Sequence, residues 1–301
     1  MMFTASDVKN LRELTGVGMM DCKRALTESE GDVDKAIAWL REKGLATAQK
    51  KAGRIAAEGV VAVKTGGSVA AIVEVNIETD FAAKNELFHT FASDLADLVA
   101  SENPADLDAL LKLTYPGETK TVADVLIDRV QVIGENIRIR RFERYDSGLN
   151  LGYVHFNKRI GVVVQLEVSG GIADKPEVAE LGKDLAIQIA AMRPLYLDNS
   201  VITPEAMEAE REVQYNKALE ENREKKLDED KAKQVAEKMV AGRMNKFFEE
   251  VCLMNQEYAK SDEKITCAKH VANVAKQVGG EIKVVKFVRF EAGEGIEKKE
   301  N

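Results

Sequence analysis

The sequence predicts an α+β fold: an N-terminal three-helix bundle, a core of two repeated subdomains, each an antiparallel three-stranded sheet with helices on one face, and an inserted helical hairpin. Three observations carry this. Apolar residues recur at helical spacing over the first 44 residues. Two later segments repeat one order of elements, strand-turn-strand-helix followed by a closing helix and strand. The second copy exceeds the first by a charged stretch of helical composition.

In the bundle, residues 1–44, Ser6 is placed to cap a helix running through Val8, Leu11 and Leu14, and Met19 to Glu28 form a second. Asp32 caps a third, which puts Val33, Ala36, Ile37 and Leu40 on one face and stops near Gly44, a residue suited to the C′ position. So small a bundle buries a thin core. Met20, in the Gly16–Met20 turn, either fills it or faces outward, where methionine suits a contact surface. Residues 45–58 turn small and basic and read as a linker, either a solvated helix or a flexible tether, which lets the bundle reach a contact partly independently of the core.

Residues 59–145 form the first core subdomain; residues 146–200 with 261–301 form the second. Gly59–Val63, a turn at Thr65-Gly66-Gly67 and Ala71–Val75 parallel Gly152–Phe156, a turn at Asn157-Lys158 and Val164–Val168. This alignment sets His155 opposite Ala62. Helices follow over Glu86–Ala100 and Val178–Met192. Each half closes alike: a helix over Val122–Ile133 leads to Ile137–Phe142, and one over Ile265–Val278 leads to Ile282–Phe287. The result is one layer of sheet and one of helix per half.

The first half crosses to its closing helix through residues 101–120, the second through residues 193–263, so the second carries an insertion, placed at 201–260. Pro204–Asn222 and Lys231–Glu250 read as two antiparallel helices projecting from the core. Val235, Met239, Met244, Phe247 and Phe248 supply a stripe to bury.

Composition narrows the function classes. A chain of 301 residues, 45% hydrophobic and 31% charged, can bury a sizeable core, and a formal net charge of -8 argues against a general nucleic-acid binder. A protein partner is expected instead. The N-terminus lacks the features of a targeting peptide and no run is apolar enough to span a bilayer, which points to the cytoplasm and to no membrane partner. Cys22, Cys252 and Cys267 fit neither a disulfide framework nor a zinc motif. There is no phosphate-binding glycine loop and no dinucleotide fingerprint, so no cofactor or metal is expected. Cys22 and His155 are the one tempting nucleophile and base, and nothing in the sequence brings them together, so no enzyme is expected.

The candidate working end is Asn76–Asn85, a loop delivered by the strand Val69–Val75. Asp80 and Phe81 stand side by side there. On pattern alone, Asp80 caps the next turn and Phe81 enters the core, or both face a partner. Glu74-Val75-Asn76-Ile77-Glu78-Thr79-Asp80-Phe81-Ala82-Ala83-Lys84 resembles a signature of the bacterial elongation factor Ts family. Leu11–Leu26 is similar to that family's N-terminal motif, and Arg159-Ile160-Gly161-Val162 and Gly293-Glu294-Gly295-Ile296-Glu297-Lys298 to its later landmarks.

The resemblance implies a guanine-nucleotide exchange factor that binds elongation factor Tu, both GDP-bound and nucleotide-free, and promotes GDP release in translation elongation. It implies that Thr79, Asp80, Phe81 and His155 contact the partner from the core. It also implies that the bundle resembles ubiquitin-associated domains and contacts the partner through Arg12, Met19, Met20 and Lys23. The hairpin becomes a coiled coil that assists partner contact or self-association, leaving a homodimer through it open. Related chains often continue into a further helical module, so no C-terminal partner contact carries over. The alternative class is a scaffold or ribosome-associated protein that uses the bundle alone.

Overall fold

The computed structural model describes residues 3–225 and 227–297. Lys226, in the charged turn, and Lys298, in the final motif, lie outside them. Helices α1 (Ala5–Thr15), α2 (Met19–Glu28) and α3 (Val33–Lys51) form the bundle. Thr4, rather than the expected Ser6, caps α1: the Asp7 amide donates to its hydroxyl, and its own amide donates to the Asp7 carboxylate at 2.7 Å. Such a reciprocal box needs a carboxylate or amide side chain three residues after the cap. Thr4 has Asp7 at that spacing, whereas Ser6 has Lys9. Asp32 caps α3 as expected, accepting from the Lys35 amide at 3.0 Å. On the face read for α3, Ala36 and Leu40 are buried while Val33 and Ile37 are exposed.

Helix α3 runs through Gly44 to Lys51, so the expected bundle boundary falls inside a helix. Its extension packs on α7 (Val122–Ile133), which appears later in the chain. Gly44 is buried, and a Cβ there would stand 2.6 Å from the Gln131 side chain. Gly44 thus allows close packing of two helices and reverses no chain. Arg41 binds Asp124 at 2.6 Å, the Lys51 ammonium donates to the Gly134 carbonyl, and Val132 packs against the bundle core. Of the two readings left open for residues 45–58, helix holds over 45–51, and that helix is fastened to the core rather than free in solvent.

Strands β1 (Glu58–Gly66), β2 (Val69–Ile77) and β3 (Ile137–Tyr145) make one antiparallel sheet, and β4 (Leu149–Val154), β5 (Ile160–Ser169) and β6 (Glu281–Glu291) make the other. Between β2 and β3 lie the one-turn helix α4 (Asp80–Ala83), α5 (Glu86–Glu102), the unanticipated α6 (Leu107–Lys112) and α7. Between β5 and β6 lie α8 (Pro176–Met192), α9 (Pro204–Glu224), α10 (Glu229–Val251) and α11 (Cys267–Val278).

The repeat extends to details that no pattern reading resolves. Helices α5 and α8 each have 17 residues and end on a left-handed non-glycine cap, Asn103 and Arg193. Helices α7 and α11 each have 12, with threonine N-caps and left-handed glycine C-caps. The ladder slips after the sixth residue of each middle strand, between Glu74 and Val75 in β2 and between Gln165 and Leu166 in β5, which sets Glu74 against Gln165 rather than Glu167 and moves the repeat register by two residues from the one read in the sequence.

The two sheets also pack on each other. Val61, Ile72 and Tyr145 meet Val163, Val288 and Phe290, while α5 covers the outer face of the first sheet with Phe88, Phe91 and Leu95, and α8 covers the second with Leu181, Leu185 and Ile189. The middle strands are thus apolar on both faces, which accounts for their unbroken runs of Val, Ile and Ala.

Helices α9 and α10 pack chiefly on each other. The buried stripe of α10 is Ala232, Ala236, Val240 and Met244; of the residues expected to form it, Met244 is buried, and Val235, Met239, Phe247 and Phe248 are half-buried at its flanks. The alanines let the helices approach closely. Leu253 and Tyr258, inside the range assigned to the insertion, are buried in the second subdomain's core. The projecting part therefore ends with α10.

Candidate functional site

Strand β2 ends at Ile77, and the chain turns at once into α4, capped by the Thr79 hydroxyl, which accepts from the Ala82 amide at 3.2 Å. The entry is clamped from the side. Glu135, just past the C-cap of α7, accepts from the Thr79 amide at 2.9 Å and from its hydroxyl at 2.7 Å, while Glu78 accepts from the Asn136 amide at 2.6 Å. Thr79, expected as a contact, thus has its polar groups engaged within the protein and positions the turn. The cap is Thr79, not Asp80.

That frame carries Phe81 outward: its side chain is 82% exposed, so the core reading fails. Exposing so large an apolar ring forgoes burial worth about 1.5–3 kcal/mol. Asp80 and Lys84 pair at 3.0 Å, and the Lys84 ammonium lies 5.6 Å from the Phe81 ring centre. The hydrogen bond from Lys84 holds the Asp80 carboxyl below the usual carboxylate range, so the acid beside the ring is ionised.

The second copy brings up a matching tip. His155 lies in the β4–β5 connection rather than within a strand opposite Ala62, its amide donating to the Ile160 carbonyl at 2.9 Å. Its Nδ1 sits 2.8 Å from the Tyr153 hydroxyl, and its ring meets that of Phe156 at 4.5 Å between centroids. Phe156 is 88% exposed and was not singled out from the sequence. The sequence reads it as the last residue of a strand; only the end of β4 at Val154 places it in the connection, where it has no sheet face to enter.

A cleft of about 360 Å³ separates the tips, lined by Asp80, Ala83, Lys84 and His89 on one side and Phe156 to Arg159 on the other, with the start of β1 as its floor. The C-terminal motif secures this arrangement from behind. Glu74 is fully buried, accepting from Arg140 at 2.9 Å, Arg141 at 2.6 Å and the Gly293 amide at 2.8 Å. Arg159 binds Glu58 and donates to the Ala292 carbonyl at 3.0 Å. Gly293 has φ 81° and sits so close to the Ala57 carbonyl that any Cβ would collide with it, which only glycine avoids.

Arg12 on α1 and Met19, Met20 and Lys23 on α2 are all exposed on the bundle; Met19 and Met20 lie at the start of α2, with Leu14 exposed nearby in sequence. Among the described residues, no group of three or more His, Cys, Asp or Glu is placed to hold a metal ion, and no helix is long and apolar enough to cross a membrane. Cys22 is buried in the bundle core, its thiol against the Val17 carbonyl, while the His155 ring in the β4–β5 connection meets the Tyr153 hydroxyl, so these two residues do not pair as nucleophile and base.

The family model described as elongation factor TS matches residues 78–294, from the clamped entry of α4 to the glycine-rich turn beside Glu74. Elongation factor Ts of Syntrophotalea carbinolica is 45% identical over 301 residues, covering 99% of this chain and 96% of that protein. Elongation factor Ts of Clostridium perfringens is 47% identical over 303 residues, with 99% and 96% covered, and that of Clostridioides difficile 47% identical over 300 residues, with 99% and 95% covered. With both tips inside the matched region and relatives aligned along nearly its whole length, the chain belongs to the elongation factor Ts family of translation elongation factors, proteins of protein biosynthesis.

Proposed function

We propose that this protein is a guanine-nucleotide exchange factor for elongation factor Tu, acting in the cytoplasm, and that it breaks no covalent bond. Family membership supports the partner class. The observation that carries the mechanism is Phe81: an aromatic held 82% exposed on a turn whose polar groups are tied down behind it. Such a ring is a rigid wedge. Inserted into a partner pocket, it gains about 1.5–3 kcal/mol, and each tenfold loss of nucleotide affinity requires about 1.4 kcal/mol.

Linkage sets the logic. A factor that lowers the partner's affinity for GDP binds the GDP-loaded partner more weakly by the same ratio. GTPases hold phosphate through Mg²⁺, which tolerates little departure from octahedral geometry. An ionised carboxylate at Asp80, delivered beside the wedge, is suited to disturbing that metal's surroundings. His155 and Phe156 add a second point of insertion, and Arg12, Met19, Met20 and Lys23 on the bundle supply attachment. The test is stopped-flow release of labelled GDP from elongation factor Tu with and without this protein. Concentration-dependent acceleration is expected; an unchanged rate despite complex formation would leave a scaffold reading in its place.

A further inference from the structure

His89 lies on α5 with its side chain 18% exposed, between the two tips. Its Nε2 is 2.7 Å from the carbonyl of Ala83, the last residue of α4, and its Nδ1 is 2.9 Å from the Lys158 ammonium on the β4–β5 connection. A carbonyl can only accept and an ammonium can only donate. Nε2 therefore carries the hydrogen and Nδ1 the lone pair, which is one tautomer of the neutral ring.

Lys158 is itself fixed. It adopts a left-handed conformation with φ 58°, donates its amide to the His155 carbonyl at 2.7 Å, and accepts from the Val61 amide at 2.8 Å. The imidazole thus joins the helix bearing Asp80 and Phe81 to the connection bearing His155 and Phe156. We propose that His89 is a positioning residue that locks the two tips in register, and that protonating its ring unlocks them. The inference rests on the exchange-factor reading for its consequence, though not for the lock itself.

The protonated ring keeps its bond to Ala83 through Nε2–H but turns Nδ1–H toward a cation that has only hydrogens to offer. The surrounding charges do not reverse this. Glu86, on the same helix, stands 3.9 Å from Nδ1 with a 90% exposed side chain, where solvent screens it. From α4, Asp80 and Lys84 neutralise each other; from β1 and the connection, Glu58 and Arg159 do the same. Lys158 is left as the charge directly facing Nδ1.

Glutamine at position 89 offers one donor and one acceptor without titrating, and phenylalanine keeps a ring without either. Stimulated GDP release is measured for wild type, H89Q, H89F and K158M, with folding checked by circular dichroism. H89F and K158M are expected to be slower by about five- to tenfold at about pH 7.5, with H89Q restoring most of the rate. Lowering the pH to about 5.5 should reduce the wild-type rate about threefold relative to H89Q, a comparison that cancels the partner's own pH response.

Parallel pH profiles for wild type and H89Q, or a folded H89F exchanging at the wild-type rate, overturn the lock. Nitrogen NMR of the free protein tests it without any partner: the Nε2–H tautomer is expected at neutral pH, and Nδ1–H overturns it. Failure of wild type to accelerate GDP release, with the Nε2–H tautomer present, overturns the exchange reading and leaves the lock standing.

Discussion

A phenylalanine in contact with solvent over most of its surface contributes little to the fold that carries it, so Phe81→Ala should separate stability from function. The melting temperature should stay within about 2 °C of wild type, because surface substitutions usually change stability by less than about 0.5 kcal/mol. Stimulated GDP release should slow about ten- to a hundredfold. A loss of about 3–5 kcal/mol of stability, as for a core phenylalanine, would falsify the wedge. Asp80→Ala should also slow release, with its deficit shrinking when Mg²⁺ is chelated; a deficit that ignores Mg²⁺ would remove the metal from its role. The thiols make a contrasting case. Cys22, Cys252 and Cys267 are all buried, and burial raises the thiol pKa of Cys252 and pushes that of Cys267 up to about 12. A thiol whose pKa is raised stays protonated and unreactive through neutral pH. Ellman's reagent should therefore find no fast-reacting group until denaturant is added, and a rapid stoichiometric reaction in buffer would contradict the burial.

Among the elements, the α9–α10 hairpin is the one built to stand apart. Its core is Ala218, Leu219, Ala232 and Ala236, and Asn222 Nδ2 donates to the Ala232 carbonyl at 3.2 Å, so it closes on itself. At its base, the amides of Leu253 and Met254 donate to the carbonyls of Tyr196 and Leu197, each at 2.9 Å, which brings the flanking chain together without the helices. Excising residues 204–248 and bridging the ends with a short Gly/Ser linker should leave a cooperative melt and the β-sheet signal in circular dichroism intact. A non-cooperative melt would show that the second subdomain needs the hairpin to fold.

For the molecule as a whole, Glu74 joins what the repeat alone would leave as two halves. It sits in β2 of the first sheet, and its carboxylate holds the Gly293 turn that follows β6 of the second. Arg140 carries the link further by donating to the Glu294 carbonyl at 2.6 Å. Removing one partner of a buried charge cluster strands the others, at a typical cost of about 3–5 kcal/mol. Because Arg140 and Arg141 are 28% and 35% exposed, water recovers part of that cost, and Glu74→Ala should destabilise by about 2–3 kcal/mol in chemical denaturation. A change below about 0.5 kcal/mol would mean the two sheets hold each other by apolar contact alone.

The sequence by itself determined the order of the longer elements, the repeat and the insertion, though not the short α4 and α6, because each of the former depends on local periodicity and on caps written within a few residues of the elements they end. It supplied Asp32 as a cap and the exact span of α2, and its family signature marked Asp80 and Phe81. It misplaced the end of α3 because Gly44 reads locally as a stop, while the surface that keeps the helix going belongs to α7, more than seventy residues away. It passed over Phe156, His89 and Glu74 for one reason: none carries a local pattern that sets it apart. Only the tertiary structure decided that the two sheets lie face to face, and only that packing brings the tips across one cleft. An imidazole between a carbonyl and an ammonium, or a carboxylate under a distant glycine turn, is a long-range coincidence of position that nearest-neighbour periodicity does not encode.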